Sequence, residues 1–267
     1  MNVQNFSTIA QRYREISSIQ KSAAETLFSI LAIKKGERVL DVGCGTGNLT
    51  KKISDITMVQ TIGIDPSEGM VNESKKLHSD LISFRKMSAE EILFENKFDV
   101  IFCNSTFQWI KNIDAAIHNF HRALVKDGRV GIQAPAKQTY CPNFTEAVNE
   151  VARDQRTKKL FQDFKSPWFF LDSADGYSRI FSRHGFQISF SKIQEVESLH
   201  SVNDIFKIFA SGAIAGYLNK ANYKNGFDDD YIRNFQEIVK ESFRKQATYE
   251  GKVKLIFNRI FLVATKD

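Results

Sequence analysis

One ten-residue segment limits the possible folds of this chain more than any other. Residues 38–47 read RVLDVGCGTG, an apolar run that ends in three glycines at alternate positions. Glycine has no Cβ, so a ligand can approach the backbone closely there. The loop leads into a helix predicted at residues 48–54, and free amides at a helix start favour negative groups. The segment therefore predicts a strand, a ligand-binding loop and a helix.

A second apolar run, residues 61–65, ends in Asp65. An acid at the tip of the strand that follows a glycine-rich loop can accept hydrogen bonds from two ribose hydroxyls. The dinucleotide pattern requires glycine where Asn48 stands, and the Gly-Lys-Ser/Thr of a phosphate loop is absent. Asp41, just before the glycines, would repel phosphate and suits a cationic ligand. We therefore expect a nucleoside with positive charge at the carboxyl edge of a parallel sheet.

At these residues the sequence resembles a known family, the class I S-adenosylmethionine-dependent methyltransferases. Asp41 to Gly47 (DVGCGTG) resembles the hallmark motif of that family, and Ile64 to Ser67 (IDPS) resembles its second motif. The resemblance covers about the first half of the chain. It implies an α/β fold, with a Rossmann-like, seven-stranded, mostly parallel sheet, helices on both faces and a helical cap. It also implies S-adenosyl-L-methionine as cofactor.

The residue pattern agrees with an alternation of strands and helices. Apolar runs predict strands at residues 38–42, 61–65, 82–87, 99–103, 130–134, 186–195 and 254–265. Helical spacing predicts helices at residues 10–31, 48–54, 68–78, 115–124, 144–164, 175–183, 202–217 and 229–245. A turn is expected at residues 126–128, before the fifth strand. Strands alternating with helices favour a parallel sheet covered on both faces.

Three segments organise the chain. Residues 1–135 form a cofactor-binding core with an N-terminal helix, and residues 136–185 form a helical cap segment. Residues 186–267 supply the last two strands, with a helical cap insertion at residues 199–252. That insertion far exceeds an ordinary hairpin loop. Long structured insertions at the functional edge of a sheet often act as lids. The alternative is that these helices only extend the core.

Composition fits an enzyme without a membrane span. Hydrophobic residues make up 42% of the 267, and the net charge is 37 minus 31, or +6. The positive charge is too diffuse to indicate a nucleic-acid partner, but it suits an acidic carrier protein. Three cysteines without C-x-x-C spacing predict neither a disulfide framework nor zinc. The His118 and His121 pair lacks a third ligand nearby in sequence, so no metal is expected. We expect a cytoplasmic location.

The resemblance assigns the residues that contact the cofactor. Asp65 would hold the ribose, although it could instead cap a helix, and Met70 would lie against adenine or simply fill the core. The glycines could alternatively form a purely structural turn. Relatives often carry Asp where Ser88 stands, so adenine would be bound by the Ser88 hydroxyl, Glu90 or backbone. The full set is Tyr13, Asp41, Gly43, Cys44, Gly45, Gly47, Asp65, Pro66, Met70, Ser88, Ala89 and Asn104.

A narrower resemblance concerns the substrate. Residues 6–20 look like the N-terminal helix of carboxyl O-methyltransferases, namely the trans-aconitate, malonyl-carrier-protein and juvenile hormone acid enzymes. Phe107 to Ile110 (FQWI) resembles the aromatic motif after their fourth strand, and residues 257–264 resemble the last strand of the trans-aconitate enzyme. The resemblance implies that Gln20 and Trp109 are the catalytic positioning residues, which hold a carboxylate without a general base. The alternative is an exposed Gln20 and a Trp109 that only fills the core.

Several functions follow from these patterns. A carboxylate is ionised at neutral pH and needs no base to accept a methyl group. The first hypothesis is O-methylation of a small, apolar organic acid, because the cap is aromatic and has no arginine cluster. The second is O-methylation of malonyl on an acidic carrier protein, and the third is a non-catalytic S-adenosylmethionine-binding module. Nitrogen or carbon methylation also remains open.

Overall fold

The computed structural model of the chain describes residues 18–77 and 79–267. Only the backbone is described for residues 18–21, which include Gln20. Tyr13, predicted to contact the cofactor, lies outside the described residues.

A seven-stranded sheet organises the fold, in the order β3-β2-β1-β4-β5-β7-β6. Its strands are β1 (Val39–Val42), β2 (Thr61–Asp65), β3 (Ile82–Lys86), β4 (Phe98–Asn104), β5 (Leu124–Pro135), β6 (Phe186–Ser201) and β7 (Lys252–Lys266). The pairs from β3 to β5 are parallel, and β7 runs antiparallel to β5 with Leu262 opposite Ile132. This arrangement confirms the predicted α/β, Rossmann-like, mostly parallel sheet.

Helices separate most of the strands. They are α1 (Ser18–Leu31), α2 (Asn48–Thr57), α3 (Glu68–Ser74), α4 (Ile113–Ala123), α5 (Pro142–Arg153), α6 (Lys158–Phe161), α7 (Ala174–Ser182), α8 (Val202–Ser211), α9 (Ile214–Tyr217) and α10 (Asp229–Lys245). Short 3-10 helices span Ala89–Glu91, Phe107–Trp109 and Lys220–Asn222. None of the helices in the described ranges has both the length and the apolar character needed to cross a bilayer.

Several helix, strand and turn boundaries differ from those predicted, for reasons of local backbone conformation. The helix predicted at residues 202–217 is broken at Gly212, whose φ of −140° and ψ of −66° lie outside the helical region. The turn predicted at residues 126–128 lies inside β5, where Asp127 has a φ of +61° beside a shift in the β4–β5 register. β6 extends six residues further than predicted, to Ser201. These three boundary predictions are wrong, whereas the elements themselves are present.

Both faces of the sheet are covered, because all four residues of β1 are buried. Val39 packs with Leu27 of α1 and Phe102 of β4 on one face. Leu40 packs on the other face with Phe120 of α4. A strand buried on both sides is typical of a parallel sheet between two helical layers. The sheet is therefore a rigid support for the loops at its carboxyl edge.

The described residues group into two compact units. One unit comprises residues 18–138, 168–194 and 259–267, and holds the sheet with α1–α4 and α7. The other comprises residues 139–167 and 195–258, and consists mainly of helices packed through aromatic side chains such as Phe144, Phe209 and Phe243. Residues 168–185, predicted as part of the cap segment, group with the sheet. The lid role of the helical unit remains a prediction.

Candidate functional site

The glycine loop, residues 43–47, is bound to the end of β2. The backbone N–H groups of Gly43 and Cys44 both donate to Ile64 O, at 2.8 Å and 3.0 Å. Gly43 has a φ of +74°, and a Cβ at this position would lie 2.0 Å from Thr106 Oγ1. Glycine is therefore required at position 43 both by the backbone conformation and by the close approach of Thr106.

Gly45 differs from Gly43 because open space lies in front of it. Its φ is +53°, and no atom lies within 4 Å of the place where a Cβ would stand. Its N–H donates to Asp65 Oδ2 at 3.0 Å. The loop thus presents backbone to a space that a ligand can occupy, in the manner expected of a cofactor cradle.

Asp65 is held in place by two backbone amides. Oδ2 accepts from Gly45 N–H and Oδ1 accepts from Ser67 N–H at 2.8 Å, so each oxygen keeps further acceptor capacity. Burial raises the pKa of Asp65, and the bonds from Ser67 and Gly45 partly offset that effect. The cap of α3 is Ser67, whose Oγ accepts from Met70 N–H at 3.3 Å. Asp65 therefore remains available to accept hydrogen bonds from a ligand.

Asp41 is a buried carboxyl at the start of the loop, with 2% of its surface exposed. Thr50 Oγ1 donates to Asp41 Oδ2 at 2.6 Å. Burial raises the pKa of Asp41 to about 7, against the lowering effect of Thr50, and the nearby Asp65 charge raises it further. A cation placed near this carboxyl would favour its ionised form. The loop is thus suited to a positively charged ligand.

The tip of β4 holds a strained residue. Ser105 has a φ of +56°, a backbone conformation that residues other than glycine rarely adopt. Gln133 of β5 fixes it, because Ser105 N–H donates to Gln133 O at 2.7 Å and Ser105 Oγ donates to Gln133 Oε1 at 3.0 Å. Strain that neighbours enforce is common where a backbone is positioned for function.

Two amide oxygens beside Ser105 are buried without a hydrogen-bond donor among the described residues. They are Asn104 Oδ1 and Gln108 Oε1. Gln108 Nε2 donates to Ser105 O at 3.0 Å, which fixes the orientation of its amide. A buried acceptor without a donor costs about 1–3 kcal/mol. Both oxygens therefore mark positions where a ligand donor would be stabilising.

The predicted aromatic motif divides into core and surface residues. Phe107 is fully buried and packs against Phe169 and Phe181. Trp109 is partly exposed, and its ring meets that of Trp168 edge-on at 5.5 Å between centroids. Gln20 lies in α1, three and four residues before the buried Ala23 and Ala24, while its side chain lies outside the described part of the chain.

Side chains in the segment after β3 form more hydrogen bonds within the protein than the sequence suggests. Ser88 and Glu91 form a reciprocal capping box, with Ser88 N–H donating to Glu91 Oε2 at 2.8 Å. Glu90 Oε1 accepts from the N–H groups of Lys111 and Asn112. Met87 N–H donates to Asp65 O at 3.1 Å, which fixes this segment beside β2. The candidates for adenine binding therefore include side chains that already have structural partners.

The remaining predicted residues lie on several different elements. Met70 is 2% exposed and Ala89 is 5% exposed, whereas Pro66 at the tip of β2 is exposed. Gly47, the residue before α2, has a φ of +83°, and a Cβ there would lie 2.6 Å from the Phe84 ring. The structure thus gives Gly47 a packing role in addition to the predicted ligand contact.

Sequence reasoning assigned no individual role to four polar residues of this site: Thr50, Ser105, Gln108 and Gln133. A signal for Gln133 was present, because it is the only polar side chain in the apolar run of residues 130–134. Nothing in the sequence indicates the positive φ of Ser105.

Nucleophiles and bases are scarce at these strand ends. All three cysteines, Cys44, Cys103 and Cys141, are buried and free, and burial raises the pKa of each thiol, that of Cys141 to about 12. The described histidines lie elsewhere, on α4, before β6 and within β6. In the described part of the chain, no group of three or more His, Cys, Asp or Glu side chains is placed to bind a metal.

Comparison with known proteins identifies the family. Residues 10–189 match the family described as "Methyltransferase domain". The chain belongs to this methyltransferase family. Solved structures similar to the methyltransferase include proteins described as S-adenosylmethionine-dependent methyltransferases. Family membership, together with the glycine loop and Asp65 described above, makes the enzyme an S-adenosylmethionine-dependent methyltransferase, as predicted from the DVGCGTG motif.

Individual relatives show how far the likeness extends. A malonyl-[acyl-carrier protein] O-methyltransferase from Bacillus cytotoxicus is 22% identical over 98% of the methyltransferase and 90% of its own length. An enzyme of the same name from Acetivibrio thermocellus is 30% identical over 60% of this chain and 56% of its own. The YcgJ protein from Bacillus subtilis superimposes with a TM-score of 0.62 at 16% identity, covering 92% of this chain and 98% of its own. That last likeness shows the fold alone.

Three features of the site fit S-adenosylmethionine. The open space at Gly45 provides room beside the backbone, and Asp65 keeps acceptor capacity for hydroxyl groups. The buried Asp41 suits a ligand that carries positive charge. The residues present therefore fit the cofactor that the family uses.

Proposed function

We propose that the enzyme transfers the methyl group of S-adenosylmethionine to a carboxylate oxygen, and that the acid is a malonyl thioester on an acidic carrier protein. The Bacillus cytotoxicus relative, matched over 98% of this chain and named for that reaction, is the observation that carries the proposal. The absence of the described histidines from the strand ends supports it, since a carboxylate acceptor is already ionised and needs no base.

In this proposal, the glycine loop and the residues after β2 and β3 hold the cofactor. Asp65 accepts hydrogen bonds from the ribose, and Asp41 in its ionised form stabilises positive charge. Asn104 Oδ1 accepts from a donor of the bound molecules, because it is buried without a donor among the described residues. The remaining contacts are assigned to Tyr13, Gly43, Cys44, Gly45, Gly47, Pro66, Met70, Ser88 and Ala89.

The cofactor supplies an electrophilic methyl group on a sulfonium. Gln20 and Trp109 are proposed to orient the substrate carboxylate through neutral N–H donors, which leave its negative charge on the attacking oxygen. Correct alignment of the reacting groups can contribute about 7–11 kcal/mol to lowering a barrier. Exclusion of water from the bound carboxylate and sulfonium lowers the barrier further, since water otherwise stabilises the separated charges.

The test is a transfer assay with S-adenosylmethionine that carries an isotopic label in its methyl group. We expect a base-labile methyl ester on malonyl carrier protein, and its absence with acetyl carrier protein, which lacks the free carboxylate. Trp109→Phe should lower turnover while cofactor binding, measured by calorimetry, stays unchanged. Methylation of acetyl and malonyl carrier at the same rate would contradict carboxylate transfer.

A small apolar organic acid is the second candidate substrate. The observation that favours it is an aromatic surface formed by Trp109, Trp168 and Phe170. The centroid of the Trp168 ring lies 5.5 Å from that of Trp109 and 6.4 Å from that of Phe170. A panel of free fatty, terpenoid and dicarboxylic acids distinguishes the two. Faster methylation of a free acid than of malonyl carrier protein would select this candidate.

A further inference from the structure

Five exposed lysines lie on two adjacent segments of the helical unit. These lysines, hereafter the lysine patch, are Lys158, Lys159, Lys165, Lys220 and Lys224. Lys165 N–H donates to Asn222 O at 2.8 Å, which fixes one segment beside the other. The Phe164 ring lies 5.1 Å from that of Tyr217 and 5.4 Å from that of Tyr223, so aromatic packing reinforces the junction.

Several other cations of the same unit form ion pairs, which the lysines of the patch lack in the described part of the chain. Lys207 pairs with Asp204, Lys245 with Glu150 and Lys254 with Glu197. Within the described residues, no lysine of the patch lies within salt-bridge distance of a carboxylate. The positive charge of the patch is therefore not neutralised locally.

Acidic residues are few within the two segments, although Asp228 to Asp230 follow directly at the start of α10. Residues 158–165 and 220–227 contain five lysines and one acid, Asp163. Asp163 accepts from Asn225 Nδ2 at 3.2 Å, and the next acid along the chain, Asp228, caps α10 through Tyr231 N–H. Elsewhere in the unit positive and negative charges alternate more evenly, as in α10. Within these two segments, positive charges exceed negative charges by four.

We propose that the lysine patch is the docking surface for the acidic carrier protein that delivers the substrate. The inference rests on the proposed function and adds the surface that recognises the carrier. Charge complementarity of this kind steers association and can raise on-rates by about 10–10³. An unpaired lysine needs no break of an existing ion pair before it meets a partner carboxylate, so the patch is available for intermolecular contacts.

Two charge-reversal variants of equal net charge test the proposal. The patch variant is Lys165→Glu with Lys224→Glu, and the control is Lys126→Glu with Lys192→Glu. The control lysines are exposed, lie in the unit that holds the sheet, and likewise have no ion pair among the described residues. Each variant changes the charge by −4, from +6 to +2. Circular dichroism and cofactor calorimetry verify folding of both.

The first readout is the dissociation constant of fluorescently labelled malonyl carrier protein in the presence of the demethylated cofactor. We expect the patch variant to bind about tenfold or more weakly and the control to stay within about twofold, with the difference shrinking at high salt. Equal dissociation constants in the two variants would overturn the inference. Weakened binding of a single-stranded RNA oligomer, with carrier binding intact, would assign the patch to nucleic acid instead.

The second readout separates docking from chemistry. With a free malonyl thioester as acceptor, kcat/KM should be the same in the patch variant, the control and the unaltered enzyme. Equal loss with carrier-bound and free malonyl would mean that the substitutions damage the site rather than docking. Failure of the unaltered enzyme to methylate either malonyl substrate would reject the proposed function, while the binding measurement still decides the docking surface.

Discussion

At the scale of single residues, Asp41 connects the chemistry of the ligand to the acidity of the solution. Burial raises the pKa of its carboxyl to about 7 from an ordinary value of 3.8, although the hydrogen bond from Thr50 acts in the opposite direction. In the ligand-free enzyme the carboxyl is therefore largely protonated below pH 7, whereas it is ionised in the unfolded chain. Because the folded state holds the extra proton, this group makes folding less favourable as pH rises from about 4 to 7.

Asp41→Asn should raise the thermal stability of the ligand-free enzyme at about pH 8 and weaken its binding of S-adenosylmethionine. The amide keeps an acceptor for Thr50 and removes the cost of a buried charge, which amounts to about 1 kcal/mol or more. Scanning calorimetry and binding titrations between about pH 6 and 8 measure both effects. The ratio of unaltered to variant affinity should increase with pH, since only the unaltered enzyme gains an ionised carboxylate. A ratio independent of pH would contradict this role.

Gly45→Ala should weaken cofactor binding roughly tenfold or more, with a loss of stability of only about 1–2 kcal/mol from the left-handed backbone. A matched control is available in Gly36→Ala, because Gly36 also has a positive φ, +87°, and also faces open space. Gly36 lies outside the glycine loop, so its variant should lose similar stability and keep its affinity. Urea unfolding and calorimetric titration provide the two quantities. Equal affinities in the two variants would exclude the space before Gly45 as the binding site.

At the scale of elements, the end of α1 is fixed to the sheet by one arginine. Arg129 of β5 donates to the carbonyls of Leu31 and Ala32, at 2.9 Å and 3.3 Å, and forms two bonds with the Glu37 carboxylate. The carbonyls at a helix end lack partners within the helix, so these bonds satisfy groups that otherwise cost free energy. α1 also carries Gln20, and its position relative to the sheet therefore affects the proposed substrate site.

Arg129→Met should lower the free energy of unfolding by roughly 2 kcal/mol, because it leaves half-buried carbonyls and a carboxylate without their donor. Arg38→Met is the control, since Arg38 also forms two bonds with a carboxylate, that of Asp99, but its side chain is 49% exposed. We expect the control to cost less than about 1 kcal/mol. Urea denaturation of both variants measures the difference. Equal costs would mean that the helix-end bonds contribute little.

Element identity was predictable from the sequence where the residue pattern was strong. The bounds of α10 agree with those predicted, because its apolar and charged residues keep a helical period over seventeen positions. α3 ends at Ser74, one turn earlier than predicted, where the Ser74 hydroxyl bonds to Val71 O. Hydroxyl-to-backbone bonds of this kind compete with helix continuation and leave no periodic signal.

The residues of the candidate site were likewise predictable only in part. Asp41, the glycines and Asp65 were predictable because motif spacing places them at neighbouring strand ends. Ser105 and Gln108 were not, since their roles depend on a positive φ and on bonds to Gln133 and to Ser105 O that only the folded chain brings together. Backbone conformations and polar contacts that arise only on folding therefore limit what can be inferred from one sequence.

At the scale of the whole molecule, cofactor binding should stabilise the unit that holds the sheet. The glycine loop, Asp65 and Asn104 all belong to that unit. S-adenosylmethionine at about 100 times its dissociation constant adds about 2.7 kcal/mol to the stability of a protein that binds it only when folded. For a chain of this size, the melting temperature should rise by about 5–10 °C.

Hydrogen exchange with mass spectrometry should locate that stabilisation. Added cofactor should slow exchange most at residues 43–50, 61–70 and 104–109. Asp65→Asn, which keeps the shape of the side chain, provides the control and should show a smaller melting shift at the same cofactor concentration. Slowed exchange restricted to residues 139–167 and 195–258 would contradict the proposed cofactor site.

The burial of all three thiols has a practical consequence for studying motion in this enzyme. A buried thiol with a raised pKa reacts slowly with maleimide reagents, because the thiolate is the reactive form. A cysteine introduced at an exposed position of each unit would then be the preferred labelling point without removal of the native ones. Fluorophore pairs attached in this way would report the distance between the helical unit and the sheet as substrate arrives.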